Sequence, residues 1–255
     1  MSEPETQARQ YVYCIISCVE PRRFTTLGIG ERGDIVHTEH FVSLAAVVSD
    51  SALVEYDSSR RNMMAHTRVL EEVMQEFTIL PVRFGTVAPS TEAVQRILRL
   101  RSLEFRSGLV EMENRVELGL KAFWYENAIF QEIVEGSAPI RHVRDKLIGR
   151  SPEETYYERI QLGEMIEEAM WKKREEDSEQ ILSRLRPLVH KTVANKVITD
   201  RMVLNAAFLV EKDRQSEFDE VVRTIDEDMG KRLIFKYVGP VPPYNFVNIV
   251  VRWED

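Results

Sequence analysis

The chain has 255 residues, with 34 lysines and arginines against 42 aspartates and glutamates and a formal net charge of −8. That balance opposes nonspecific attraction to nucleic-acid phosphates or anionic lipid, and no basic run longer than three residues offsets it locally. At 44% hydrophobic residues there is ample material for buried cores, and roughly 150 residues per domain implies two domains.

The N-terminal segment MSEPETQARQ lacks the cationic start and apolar stretch of a secretory signal, and no apolar run approaches the ~18 residues that span a bilayer. Tyr11 to Val19 is an almost unbroken apolar run, the pattern of a central strand covered on both faces. Its Cys14 and Cys18 are the only cysteines. On an extended strand they stand about 13 Å apart at roughly 3.3 Å per residue, too far to bridge, and read as two small buried thiols of a reducing compartment.

Gly28, Gly30 and Gly33 give G-x-G-x-x-G spacing after that strand. A dinucleotide loop needs the third glycine to open a helix, whereas here β-branched, strand-like stretches follow at 34–38 and 41–48. The glycines therefore read as a turn between strands. His37, Glu39 and His40 are the densest set of potential ligands, but alternation puts His37 and Glu39 on one side of a strand and His40 on the other.

From Arg60, capped by Ser58 or Ser59, Met63, His66, Thr67, Leu70, Val73, Met74 and Phe77 recur at helical spacing. His66 on this stripe reads as a packing histidine bonded to the sheet backbone. In Ile79 to Gly85 the period becomes two, with Leu80, Val82 and Phe84 on one side, and Pro81 confines this strand to an edge or a sheet start. A second helical pattern from Ser90 uses Val94, Ile97, Leu98 and Phe105. This order suggests helices on one face of a mainly antiparallel sheet.

Two of these stretches, SRRNMMAHTRVLEEVM and TILPVRFGTV, resemble the signature of the gas vesicle protein GvpF/GvpL family. GPVPPYNFV from Gly239 to Val247 is a second match, and RVELGLKAFW from Arg115 to Trp124 a weaker one. Val241 stands where the resemblance leads one to expect a bulkier aromatic.

The second half opens on that last stretch, where Val116, Leu118, Leu120, Ala122 and Trp124 alternate with Arg115, Glu117, Gly119, Lys121 and Phe123 as in a strand. Ser151-Pro152-Glu153-Glu154 carries the signals of a helix start. Between Glu164 and Arg186 there is neither glycine nor proline. Apolar positions early and late flank a middle, KKREEDSEQ, with nothing to bury, so one long helix or a hairpin should reach solvent there. A strand over 202–210, a helix capped by Asp213 and a strand with Leu233, Phe235 and Tyr237 on one side complete the chain. The proline-fixed segment from Gly239 to Phe246 should be extended, with Tyr244 and Phe246 clipping it to the body or facing a partner.

Chemistry is not declared. No G-x-S-x-G, P-loop, H-E-x-x-H or C-x-x-C is present, and the glutamate groups Glu71–Glu72 and Glu164, Glu167, Glu168 read as solvated helix faces. The expected fold class is α+β in two domains, each a modified ferredoxin-like α/β sandwich. These are 1–112 and 113–255, the second with a long helical, coiled-coil-like extension inserted at about 151–191.

The resemblance implies a non-catalytic minor protein of gas vesicles in the cytoplasm. It would bind the hydrophobic shell protein GvpA, limit its aggregation and assist assembly, with other vesicle proteins as further partners. No catalytic, cofactor or metal residues are assigned, and no nucleic acid or membrane span. The candidate partner-binding residues are Arg60, Arg83, Trp171, Tyr244 and Phe246. The rival reading is a ferredoxin-like small-ligand sensor or enzyme using the His37/Glu39/His40 region.

Overall fold

A buried apolar run needs partners on both edges and both faces, and the first strand receives them. The structure, a computed structural model, describes residues 9–253, so most of the N-terminal segment read for a targeting signal lies outside the described residues. β1 (Arg9–Ser17), β2 (Arg23–Leu27), β3 (Ile35–Phe41), β4 (Leu44–Ser51), β5 (Ile79–Pro81) and β6 (Val87–Ala88) form a six-stranded sheet. Its order is β2-β3-β4-β1-β5, with β6 also on β1. β4 pairs antiparallel with β1 from Arg9↔Ser51 to Ser17↔Leu44, with a register shift between Val12 and Cys14. The glycine segment is the β2–β3 turn, Gly30 and Gly33 taking φ of +95° and +79°, where a side chain would be strained.

Tyr11 and Tyr13 of β1 pack with Val69, Leu70 and Val73 of α1 (Arg60–Glu76) in one cluster. Leu80, of opposite parity to Ile79 of that cluster, lies instead under Gly108 of α3 (Ser102–Met112), where an added Cβ would come within 3.1 Å. Helices therefore cover both faces of this sheet, not one. Ser59 and Ser90 cap α1 and α2 (Thr91–Leu100), accepting from the amides of Asn62 and Ala93. The pattern read as one helix from Ser90 breaks at Arg101, whose side chain bonds Glu104 and the carbonyl of Val250.

The chain divides into two compact units, one ending at Glu117 but rejoined by the segment from Pro240 onward, the other spanning Leu118–Gly239. The C-terminal segment thus goes with the first unit, not with the second as expected. The reason is hydrogen bonding: Ile249 forms a parallel bridge with Val82, and the Arg83 amide donates to the Ile249 carbonyl at 3.3 Å. Asn245 donates its amide and Nδ2 to buried Glu117 at 2.9 and 2.5 Å. The segment is extended only as far as Pro243; Tyr244 to Phe246 then turn, with the Val247 amide donating to Pro243.

In the second unit β7 (Arg115–Trp124) lies between β9 (Met202–Glu211) and β10 (Leu233–Val241) in a four-stranded sheet of order β10-β7-β9-β8, where β8 is Lys191–Ala194. Two helices that the sequence pattern did not reveal, α4 (Glu126–Gly136) and α5 (Ala138–Leu147), come next. α6 (Tyr156–Leu185) is a single 30-residue helix, which settles the helix-or-hairpin alternative. It starts after the Ser151 turn, where Ser151 accepts from the Glu154 amide at 3.3 Å. β8 (Lys191–Ala194), β9 (Met202–Glu211), α7 (Gln215–Met229) and β10 (Leu233–Val241) complete the unit. Asp213 lies in a 3-10 turn, and α7 has no side-chain cap.

The middle of α6 does have something to bury. Asp177 is fully enclosed, and Trp124 Nε1 and the Arg232 guanidinium donate to it. Arg232 also forks onto Glu132 at 2.9 and 3.0 Å, and Lys173 reaches Glu132 at 2.9 Å. A polar run here hides a satisfied ionic cluster, which composition cannot distinguish from a solvated face.

Candidate functional site: an apolar cleft in the first unit

The two strongest resemblance-bearing segments meet in space. α1 contributes Met63, His66 and Thr67, the chain around β5 contributes Pro81 to Phe84, and the C-terminal segment contributes Tyr244 and Val247 to Ile249. Together they enclose a cleft of about 400 Å³ with mainly apolar walls. That volume lies within the range of ligand pockets.

Its floor is held by an aromatic cluster. Tyr11 lies 4.8 Å from Tyr13 and 5.3 Å from Tyr56, while Phe84 meets both Tyr11 and His66 edge-on. His66 is 2% exposed, and its Nδ1 lies 3.0 Å from the Tyr11 hydroxyl. That hydroxyl accepts from the Gly85 amide at 3.0 Å, an approach helped by the φ of +82° at Gly85. The assignment that leaves no hydroxyl proton idle has Tyr11 donating to Nδ1, so the ring proton sits on Nε2. Nε2 is buried without a partner among the described residues. Desolvation pushes the His66 pKa down to about 4, so the ring is neutral at pH 7. The expected partner was sheet backbone; the actual one is a sheet side chain.

A second pocket, about 580 Å³, shares Met63 and Thr67 with the first and continues along α1 past Arg60, Met64, Arg68 and Glu71. Met63 and Met64 are 49% and 44% exposed. The helical stripe that promised core thus divides: Val69, Leu70 and Val73 are buried, while Met63 and Thr67 face the cleft. The stripe's extra width was the signal that could have shown this, since a sheet-packing helix needs only part of it.

Of the candidate partner-binding residues, Arg83 and Tyr244 line the first pocket and Arg60 the second. Phe246 sits instead in a smaller pocket of about 140 Å³ with Leu80, Phe105 and Met112, an anchor against α3. Trp171 lies on α6 in the second unit, 56% exposed, on a helix that also exposes Tyr156, Tyr157 and Ile160. His37 and Glu39 do share a side, 3.4 Å apart, and His40 bonds Thr38 at 2.7 Å. The Glu39 hydrogen bond raises the His37 pKa. Among the described residues no group of three histidine, cysteine, aspartate or glutamate side chains could hold a metal ion. Cys14 is buried and its thiol pKa pushed up by burial; Cys18 is only half-buried, with Sγ 3.0 Å from the Glu20 carbonyl.

The chain is α+β, with two sheets, one long helix and an apolar cleft lined in part by Arg83. The family model for gas vesicle synthesis protein GvpL/GvpF matches residues 9–248, and the chain belongs to that family. It is 28% identical to gas vesicle protein F of Nostoc sp. over 242 residues, which cover 94% of this chain and 98% of that one. It is 27% identical to gas vesicle protein F1 of Halobacterium salinarum over 86% of this chain and 84% of the other. The crystal structure of GvpF from Anabaena sp. PCC7120 superimposes with a TM-score of 0.83 at 27% identity, covering 96% of this chain and all of that one. GvpF from Microcystis aeruginosa gives 0.77 at 26% identity over 94% and 99% of the two chains. It is thus a gas vesicle-associated protein, and no helix among the described residues is long and apolar enough to cross a membrane.

Proposed function

We propose that this protein acts without catalysis in gas vesicle assembly, within the cytoplasm, by binding the hydrophobic shell protein GvpA and limiting its aggregation. The observation that carries this reading is the convergence of the two resemblance-bearing segments on one apolar cleft with exposed methionines. Methionine is unbranched and polarizable, so it repacks around irregular apolar partners. Arg60, Arg83 and Tyr244 are the partner-binding residues at this cleft, Phe246 keeps its wall in place, and Trp171 offers a separate contact on α6.

The test dilutes denatured shell protein into buffer with the purified chain or with an inert acidic protein of similar mass. Suppressed turbidity and recovery of a soluble complex support the reading. Equal turbidity in both, with no complex recovered, removes it.

A further inference from the structure

We infer that the groove formed by the two joined pockets is built for one chemical kind of partner segment: apolar anchor residues flanked by acidic side chains. This deepens the proposed shell-protein binding and rests on it for the identity of the partner, though not for the chemistry of the groove.

Three observations define that chemistry. The first is continuity: Met63 and Thr67 belong to both pockets, so the apolar floor runs from the C-terminal segment along the exposed flank of α1. The second is charge. Arg83 lines one pocket, Arg60 and Arg68 the other, and none of the three has a side-chain partner among the described residues. Their neighbour Arg61, outside the groove, is paired with Glu31 at 2.8 Å. Glu71 is the acidic residue that shares the lining, and it leaves three guanidinium groups against one carboxylate. On a chain of net charge −8, such a local excess of unpaired positive charge attracts an acidic ligand selectively.

The third observation is the polarity of α1. Its first turn carries no acid and begins with Arg60 and Arg61, its last turn carries no base, and Glu71, Glu72 and Glu76 lie toward its C-terminal end. Each choice opposes the helix dipole, whose N-terminus favours negative groups. A stability-driven sequence would place acids there. Arginines at that end instead add to the positive potential of the dipole, beside the pocket that Arg60 and Met64 line. An acidic flank on the bound segment then meets guanidinium groups and the helix terminus together, while its apolar residues enter between Met63, Phe84 and Tyr244.

The experiment uses the full chain and two short labelled amphipathic peptides with identical leucine anchors, one flanked by glutamates and one by lysines, read by fluorescence anisotropy. The glutamate peptide should bind at least about tenfold tighter, and its affinity should fall steeply between about 0.05 and about 0.5 M salt. The variant Arg68→Glu/Arg83→Glu, both changes at solvent-exposed side chains, should reverse the preference while melting like the parent. Equal affinity for the two peptides, unaltered binding by the reversed variant, or capture of phosphatidylglycerol vesicles without either peptide overturns the inference. Shell protein held equally well by the reversed variant overturns it too, with the assembly reading intact. Peptide preference as expected with no hold on shell protein leaves the groove chemistry standing and removes the assembly reading.

Discussion

Trp124 donates its indole N–H to Asp177 Oδ2 at 2.8 Å, joining the end of β7 to the middle of a helix 53 residues further along the chain. The carboxylate is fully buried and accepts from Arg232 as well, so its charge is compensated rather than solvated.

Removing Asp177 leaves the buried Trp124 N–H without its acceptor, while Arg232 keeps Glu132. Asp177→Ala should destabilise the protein by about 1–3 kcal/mol, the cost of a buried donor left without its acceptor. Asp177→Leu combined with Arg232→Met should cost less than the sum of the two single changes, because Arg232→Met alone strands the buried Asp177 carboxylate and the double change does not. Urea unfolding followed by Trp fluorescence measures each of these variants. Additive losses would show that the two groups are not coupled as the geometry indicates.

His66 gives the fold a dependence on acid. Its folded-state pKa is about 4, against an unfolded value near 6.5, so the unfolded chain binds the proton first. The stability it contributes is complete above pH ~6.5 and is lost as pH falls toward 4, by roughly 3 kcal/mol in all. Thermal melts from pH 7 to 4 on the parent and on His66→Gln should show a shallower decline in the variant. Parallel curves would mean that other groups carry the acid sensitivity.

Arg60→Glu should separate stability from binding. Placing an acid in the first turn of α1 gains about 0.3–1 kcal/mol from the helix dipole, worth a few degrees in melting temperature. The same change removes positive charge from the groove and should weaken capture of shell protein. A variant that melts higher yet binds as the parent would detach Arg60 from the partner site.

Glu72 protects an open edge. It accepts from the amides of Thr25 and Thr26 and from the Thr25 hydroxyl, each at 2.8 Å, on β2 at the end of the sheet order. Partial burial pushes its pKa up, but these bonds outweigh that and bring it to about 2. Glu72→Ala should speed hydrogen exchange at Thr25 and Thr26 and increase aggregation, because unpaired edge amides recruit other strands. The loss should also emerge in the parent as pH falls from about 4.5 toward 2, where the carboxylate takes up its proton. Unchanged exchange at both amides would assign the protection elsewhere.

Much of this molecule could be read from its letters, for reasons that differ by element. Tyr11 to Ile16 announced a doubly covered strand because burial on both faces leaves no polar alternation, although the apolar run reads on to Val19, which is exposed. Ser59 and Ser90 announced helix starts because their hydroxyls satisfy local amides. β2 (RFTTL) stayed hidden because an exposed edge strand shows no apolar period, and α4 and α5 because loops and short helices share mixed polarity. The cleft was half legible. Its residues lie in the recognised segments, but Met63 looked like core, and nothing local says that residues 247–249 fold back onto Val82. Likewise Asp177 is one acid among many in KKREEDSEQ until Trp124 and Arg232, distant in sequence, are brought beside it.

That return of the C-terminal segment fixes an order of events during synthesis. A ribosome that has made the first 239 residues has produced Met63, His66 and Phe84 but not the Tyr244 and Ile249 side of the cleft. The cleft therefore comes into being late, after the whole second unit has been translated, and a nascent chain carries only its α1 and β5 wall.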